Sequence, residues 1–225
     1  TVVFAQVHTQ GKNQGVHAIL CPLRHPQTGE ITPGITIRDC GMKQGWQAVP
    51  NGCLRFDKVR VPRHNLLNRY AEVNRDGSYT SPIAHEGKRF AETLSALVFG
   101  RLLYIMGPTK SLELCLTVAT RYAMQRRQFG SPKRKQENLI WSYPTHKNKI
   151  VPLIAMVHAF NASYASLAKQ YADIKNLDMA HFHAIISGVK AYVAEFVPHA
   201  LLTLRPMCGG HGYSENNRIG RLMND

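Results

Sequence analysis

The segment Tyr122–Gly130 carries the residues best suited to hold an anionic ligand. Six basic residues and no acidic residue lie between Glu113 and Glu137. A guanidinium offers phosphate a planar, two-pronged donor, and a neighbouring aromatic ring can lie against a flat ligand. A solvated helix end, where cations favour the C-terminal dipole, has the same composition. Composition alone therefore favours the ordinary helix end and leaves the anion site open.

A second candidate is the glycine-rich segment Met207–Tyr213. Gly209, Gly210 and Gly212 let a backbone approach a ligand closely or turn with a positive φ. A glycine helix cap followed by a loop has the same pattern. His211 could serve as a base, although a histidine between glycines is more typical of a structural residue bonded to the backbone.

The elements that position these segments change in character along the chain. Residues 1–80 are rich in Gly, Pro and β-branched residues, and turn signals such as Gly11–Gly15 separate short apolar runs, which predicts antiparallel hairpins. After Pro82 apolar residues recur at three- and four-residue steps, which predicts long amphipathic helices. We expect a kink where Gly107 precedes Pro108. The sequence predicts an α+β protein.

Three long helices favour a bundle. The first begins near residue 88 and ends with the segment Tyr122–Gly130, and the others run from about 145 to 174 and from about 179 to 204. We therefore predict a β domain over residues 1–80 and a helical bundle domain over residues 81–225.

Composition argues against several classes of protein. The formal net charge is +14, but basic residues divide evenly, fourteen in residues 1–120 and fourteen in residues 121–225, so no basic tail points to nucleic acid. Every apolar run is interrupted well before the ~20 residues of a membrane span, so we expect none. The five cysteines are scattered, without metal-ligand spacing, which favours free thiols in a reducing compartment and no metal site.

Taken together and in this order, the segments resemble the acyl-CoA oxidases, within the acyl-CoA dehydrogenase superfamily. The Phe56–Arg63 strand followed by Asp76–Tyr79 is more similar to the oxidases than to the dehydrogenases. Pro50 and Lys147 depart from the family pattern, in which an acid and a Gln are usual. The other segments that carry the resemblance include Val3–Gln6, Pro33–Ile37, Arg126–Phe129, Tyr143–His146, Ser187–Ala191 and Cys208–Tyr213.

The resemblance implies a fold with an N-terminal helical domain, which this chain would lack, then an antiparallel β domain and a helical bundle, with FAD between the last two. It also implies a homodimer in which Arg126 and Phe129 reach the FAD of the neighbouring subunit. Arg101 matches an acyl-CoA-binding position, although a helix Arg paired with a surface acid is an equal alternative. The cofactor-binding residues that it implies are Arg126, Gln128, Phe129, Gly209, Gly210 and Gly212.

The implied activity is α,β-desaturation of fatty acyl-CoA to trans-2-enoyl-CoA, with O₂ reduced to H₂O₂, in the peroxisome. A carboxylate takes the α proton and the flavin accepts the hydride. The catalytic Glu is expected beyond Asp225, because Gly100 occupies the family's other base position and has no side chain to accept a proton. Two alternatives stay open: a dehydrogenase that uses an electron-transfer partner, and a catalytically inactive oxidase-like structural subunit.

Overall fold

The computed structural model describes residues 1–133 and 135–224, and the chain divides into two compact units. The first comprises Thr1–Lys43 and Gln47–Leu97, and the second comprises Gln44–Trp46 and Val98–Asp225. The predicted limits of 1–80 and 81–225 concern domains rather than compact units, and they stay a prediction.

The first unit contains three antiparallel strand pairs and one helix. β1 (Val2–Thr9) pairs with β2 (Lys12–Leu20), β3 (Ile35–Asp39) with β4 (Gly52–Phe56), and β5 (Glu72–Val73) with β6 (Tyr79–Thr80). Helix α1 (Glu86–Leu94) follows. All strand pairs described in residues 1–80 are antiparallel, as the sequence predicts.

The first hairpin turns earlier than expected. Thr9 pairs with Lys12, so the turn consists of Gln10 and Gly11, whose φ values are 48° and 73°. The predicted turn at Gly11–Gly15 is wrong in position, because Gln10 adopts the left-handed conformation that turn signals assign to Gly or Asn. Two consecutive residues with positive φ match the twist of a two-residue hairpin.

The second unit is a helical bundle. Its helices are α2 (Val98–Gln125), α3 (Pro144–Ala172), α4 (Met179–Met207) and the short α5 (Ile219–Asn224). Asp178 caps α4, since its Oδ1 accepts from the backbone N–H groups of Ala180 and His181 at 3.1 and 3.2 Å. The predicted long helices and the α+β class are confirmed.

Helix α2 is continuous through Gly107 and Pro108, and the bend expected there stays a prediction. The helical stretch is interrupted instead by the 3₁₀ turn Ser95–Leu97, so the single helix predicted from near residue 88 is divided into α1 and α2. Ile105 and Leu112, both fully buried, fix α2 in the core on either side of the proline. Packing of this kind overrides local helix-breaking preferences.

Two helices are apolar enough to span a membrane, although the sequence predicts none. α3 and α4 are each 29 residues long and contain an 18-residue window of mean hydropathy 1.4 and 1.3, respectively, enough in length and composition to cross a membrane. The expectation that no stretch reaches this level is wrong, because it counted uninterrupted runs, whereas the window averages over isolated polar residues. The absence of a membrane span therefore stays a prediction.

The cysteines differ in accessibility, and this gives a chemical test of the fold. Cys40 and Cys53 are exposed, whereas Cys115 and Cys208 are buried. Burial, with a smaller contribution from Cys208, raises the pKa of Cys115 to about 11, and burial also raises the pKa of Cys208. Both buried thiols therefore stay protonated, and unreactive, over the neutral range.

With iodoacetamide at about pH 8 we expect alkylation of Cys40 and Cys53 and protection of Cys115 and Cys208, because only an accessible thiolate reacts. Peptide mass spectrometry after a time course measures the four rates. The same reaction in guanidinium chloride serves as the control, since unfolding should expose every thiol. Equal rates at Cys115 and Cys40 in the folded protein would contradict the packing of α2 against α4.

Candidate functional site

The basic segment after α2, Arg126–Phe129, is held in a fixed shape by backbone pairing. The amide of Gln128 donates to the carbonyl of Asn138, and the amide of Asn138 donates to the carbonyl of Phe129, both at 2.9 Å. The Ile140 amide donates to the Arg126 carbonyl at 2.9 Å. The chain after α2 thus runs antiparallel to residues 138–140, and its side chains occupy defined positions although most are exposed.

Phe129 is the most unusual residue of this segment. Its φ is 59°, in the left-handed region that bulky side chains rarely adopt, and 71% of its surface is exposed. Neither property helps folding, since left-handed backbone is strained and an exposed ring gains nothing from burial. The backbone pairing holds the ring outward, where it can cover a flat ligand.

The two neighbouring arginines differ in what they contact. The Arg127 guanidinium donates to the Glu137 carbonyl at 2.9 Å and so stabilises the paired segment. The Arg126 side chain is exposed, and it makes no ion pair or side-chain hydrogen bond among residues 1–133 and 135–224. Arg126 is therefore available to an anion. Arg134, one of the six basic residues between Glu113 and Glu137, lies outside the described residues.

The three glycines after α4 have separate roles. Gly209 has a φ of 56°, and a Cβ there would lie 3.3 Å from the Tyr122 hydroxyl. Gly212 is buried, and a Cβ would collide with the carbonyl oxygen of Arg205 near the end of α4. A Cβ on Gly210 would meet open space. Gly209 thus permits a close approach at the site, whereas Gly212 serves the packing of the turn.

One cavity of about 390 Å³ brings most of the predicted residues together. Arg126, Gln128, Phe129 and Gly209 line it, and Gly210 and Gly212 do not. The other lining residues come from the ends of α2 and α4 and the start of α3: Tyr122, Ile140, Tyr143, Thr145, His146, Pro206 and Met207. No Asp or Glu lines it among the described residues, so Arg126 gives it positive character that suits an anionic ligand with a ring system.

Sequence reasoning assigned no role to the residues that begin α3. The Tyr143 hydroxyl donates to the Gln128 carbonyl at 2.9 Å and so fixes the basic segment against the helix. The ring of His146 lines the cavity, and burial, with a smaller effect from Lys149, lowers its pKa. His146 is therefore neutral near pH 7. The signal was present in Tyr143–His146, which carried the resemblance without an assigned function.

The remaining predicted residues lie elsewhere. His211 is exposed, and its ring centroid is 5.7 Å from that of Tyr122, an edge-on packing contact. Arg101 is half-buried on α2 and lines neither of the two larger cavities of the bundle, so its substrate role stays a prediction. Gly100 lines a separate, mainly apolar cavity of about 530 Å³, between α2 and α4.

Comparison with known proteins gives a consistent family. Residues 94–225 match the family model described as the acyl-CoA oxidase C-alpha1 domain. The chain is 40% identical over 217 residues to peroxisomal acyl-coenzyme A oxidase 2 of Arabidopsis thaliana, covering 95% of this chain and 31% of that protein. It is 33% identical to peroxisomal acyl-coenzyme A oxidase 1 of Rattus norvegicus, covering 98% of this chain and 34% of that protein.

Solved structures agree. The crystal structure of acyl-CoA oxidase-1 from Caenorhabditis elegans, complexed with FAD and ATP, matches with a TM-score of 0.86 at 36% identity, over 99% of this chain and 33% of that one. Acyl-CoA oxidase 1 from Yarrowia lipolytica matches with a TM-score of 0.89 at 30% identity, over 99% and 35% of the two chains. The chain spans about a third of the length of these relatives. By its sequence, its helical domain and its fold, the chain belongs to the acyl-CoA oxidase family.

Proposed function

We propose that this chain forms the cofactor-handling part of a peroxisomal acyl-CoA oxidase. The reaction would convert fatty acyl-CoA to trans-2-enoyl-CoA and reduce O₂ to H₂O₂. The observation that carries the proposal is the cavity in which Arg126, Phe129 and Gly209 meet, since three residue types suited to a dinucleotide lie on one surface. Oxidases of Arabidopsis and rat named as peroxisomal support the compartment.

The residues present fit FAD. The Arg126 guanidinium can take a phosphate oxygen, and the exposed Phe129 ring can pack against an aromatic system. The left-handed Gly209 keeps the wall free of a side chain where a ligand must approach closely. The relative from Caenorhabditis elegans crystallised with FAD supports the same cofactor. Gly210 and Gly212, which do not line the cavity, would act through the shape of the turn.

When bound, the flavin supplies the acceptor for the hydride that leaves the substrate β carbon. The residues of this chain bind and orient it: Arg126 neutralises phosphate charge, and Phe129 excludes water from one face of the ligand. Neutral His146 adds no further cation to the wall. Gly100 has no side chain that could accept the α proton, so this position does not supply the catalytic base. A cavity whose Phe129 faces outward favours a homodimer that shares the cofactor.

The proposed activity is tested by an absorbance spectrum and an oxygen electrode. We expect the purified protein, with the residues that flank this chain, to show flavin bands. We also expect it to consume O₂ with palmitoyl-CoA and no added acceptor, and to form peroxide. Flavin bands with activity only in the presence of an artificial acceptor would indicate a dehydrogenase. The absence of flavin from folded protein would favour the structural subunit instead.

Phe129 offers a prediction with opposite effects on folding and binding. Phe129→Gly should stabilise the flavin-free fold, because relief of about 1–3 kcal/mol of left-handed backbone strain exceeds the roughly 0.5–1 kcal/mol entropic cost of glycine. It should also weaken FAD binding, because the ring is lost. Phe129→Ala is the matched control, since it removes the ring and keeps the strain. It should weaken binding without stabilising the fold.

Urea unfolding of the flavin-free protein and FAD fluorescence titration give the two quantities for Phe129→Gly and Phe129→Ala. FAD affinity unchanged in both variants would overturn the role of the ring. A glycine variant less stable than the alanine variant would show that the left-handed backbone is not a source of strain.

A further inference from the structure

A second polar cavity, of about 390 Å³, lies within the first unit, beside α1. Its wall includes Arg89, of which 5% is exposed, the only buried Lys, Arg, Asp or Glu among the described residues. Nη1 of Arg89 donates to the carbonyl of Ile83 at 2.8 Å, and Nη2 donates to the carbonyl of Gln14 at 2.6 Å. A guanidinium has five N–H donors, so some stay available to the cavity.

The ring nearest to Arg89 carries no negative charge. The Cζ atom of Arg89 lies 5.2 Å from the centre of the Tyr79 ring, and burial raises the pKa of Tyr79. Nδ1 of His17 lies 2.9 Å from the carbonyl of Gly15 and must donate to it, and in the neutral imidazole Nε2 then accepts from the Tyr79 hydroxyl at 2.8 Å. Tyr79 thus stays a neutral phenol that is hydrogen-bonded to His17, and it supplies no countercharge to Arg89.

The charge of Arg89 lacks an anionic partner. No carboxylate lies within 4 Å of it in the part of the chain that the structure describes. Glu86, one turn earlier on α1, lines the same cavity without reaching the guanidinium. A buried charge is normally paired, because removal from water without a counter-ion costs several kcal/mol. Asn13, Gln14 and Ser81, which also line the cavity, offer neutral hydrogen-bonding groups.

We propose that this cavity binds a small oxyanion, a phosphate or carboxylate group, on the available donors of Arg89. The cavity is large enough for such a group, and the neutral polar groups of Asn13, Gln14 and Ser81 can satisfy the other oxygens. Glu86 repels the anion and so limits its affinity. All of its lining residues belong to the first unit, and none of them lines the proposed flavin cavity.

The test is thermal unfolding of the protein in inorganic phosphate, with sodium chloride at equal ionic strength as the reference. We expect phosphate to raise the Tm of the wild type in a saturable manner. Arg89→Met should lower the phosphate affinity at least tenfold. Lys88→Met, which deletes a cation from the same helix outside the cavity, should leave the affinity unchanged. Acetate in place of phosphate shows whether a carboxylate suffices.

Glu86→Gln keeps Arg89 in place, so its result does not depend on whether Arg89→Met folds. It should tighten phosphate binding about two- to fivefold, because it removes a like charge from the wall. A wild-type Tm that phosphate does not raise beyond chloride would overturn the proposal. So would phosphate affinity that is the same in Arg89→Met as in the wild type, or that falls in Glu86→Gln.

Discussion

Replacement of Arg126 by Ala is expected to raise the dissociation constant of FAD by about tenfold to a hundredfold. A charge-assisted hydrogen bond to phosphate contributes roughly 1.5–3 kcal/mol, and each 1.4 kcal/mol is tenfold in affinity. Arg126 is the cation on the cavity wall, and no acid lines that wall among the described residues, so its loss would not be compensated. Fluorescence titration of the deflavinated protein with FAD measures the constant directly.

Arg121→Ala is the control for Arg126→Ala. Arg121 is an exposed arginine of α2, one turn earlier, and does not line the cavity, so FAD affinity should be unchanged. Arg127→Ala instead tests the shape of the paired segment, because the Arg127 guanidinium donates to the Glu137 carbonyl rather than facing the ligand. Full FAD retention by Arg126→Ala after dialysis would show that the phosphate lies elsewhere.

Replacement of Leu112 by Ala should lower the free energy of unfolding by about 2–5 kcal/mol. Leu112 is fully buried in the core of the helical bundle, so the deletion removes apolar contacts and leaves a cavity that the neighbouring helices cannot fill completely. Denaturation by urea, followed by far-ultraviolet circular dichroism at the helical band, gives the free energy.

Leu114→Ala makes the same chemical change two residues along α2, where 48% of the side chain is exposed. The unfolding free energy should then change by no more than about 0.5 kcal/mol. Equal losses from Leu112→Ala and Leu114→Ala would mean that the face of α2 turned to the core is wrongly assigned.

Much of the site could be predicted from sequence because its residues lie in two short segments. Arg126, Gln128 and Phe129 are near neighbours in the chain, so the pattern of basic and aromatic residues was visible without a fold. The start of α3 was harder to assign. Tyr143 reaches Gln128 only because residues 138–140 pair with the end of the basic segment, a contact set by the path of the loop.

The glycines after α4 show the limit of reasoning from residue types. All of them have the same conformational freedom in a sequence, yet Gly209 lines the cavity, Gly210 faces open space and Gly212 packs on the Arg205 carbonyl. Their separation depends on the direction that the chain takes after α4. A sequence pattern predicts that a close approach occurs, and the packed structure decides which atom approaches.

The sequence by itself determined the α+β class, the antiparallel hairpins and the long helices, because turn signals and apolar spacing of three to four residues are local properties. Tertiary structure decided that α2 runs unbroken through Pro108, since buried neighbours on both sides outweigh the lost hydrogen bond. It also decided that Arg89 is buried beside Tyr79. Residues far apart in the chain enclose that guanidinium, and no local pattern encodes such a contact.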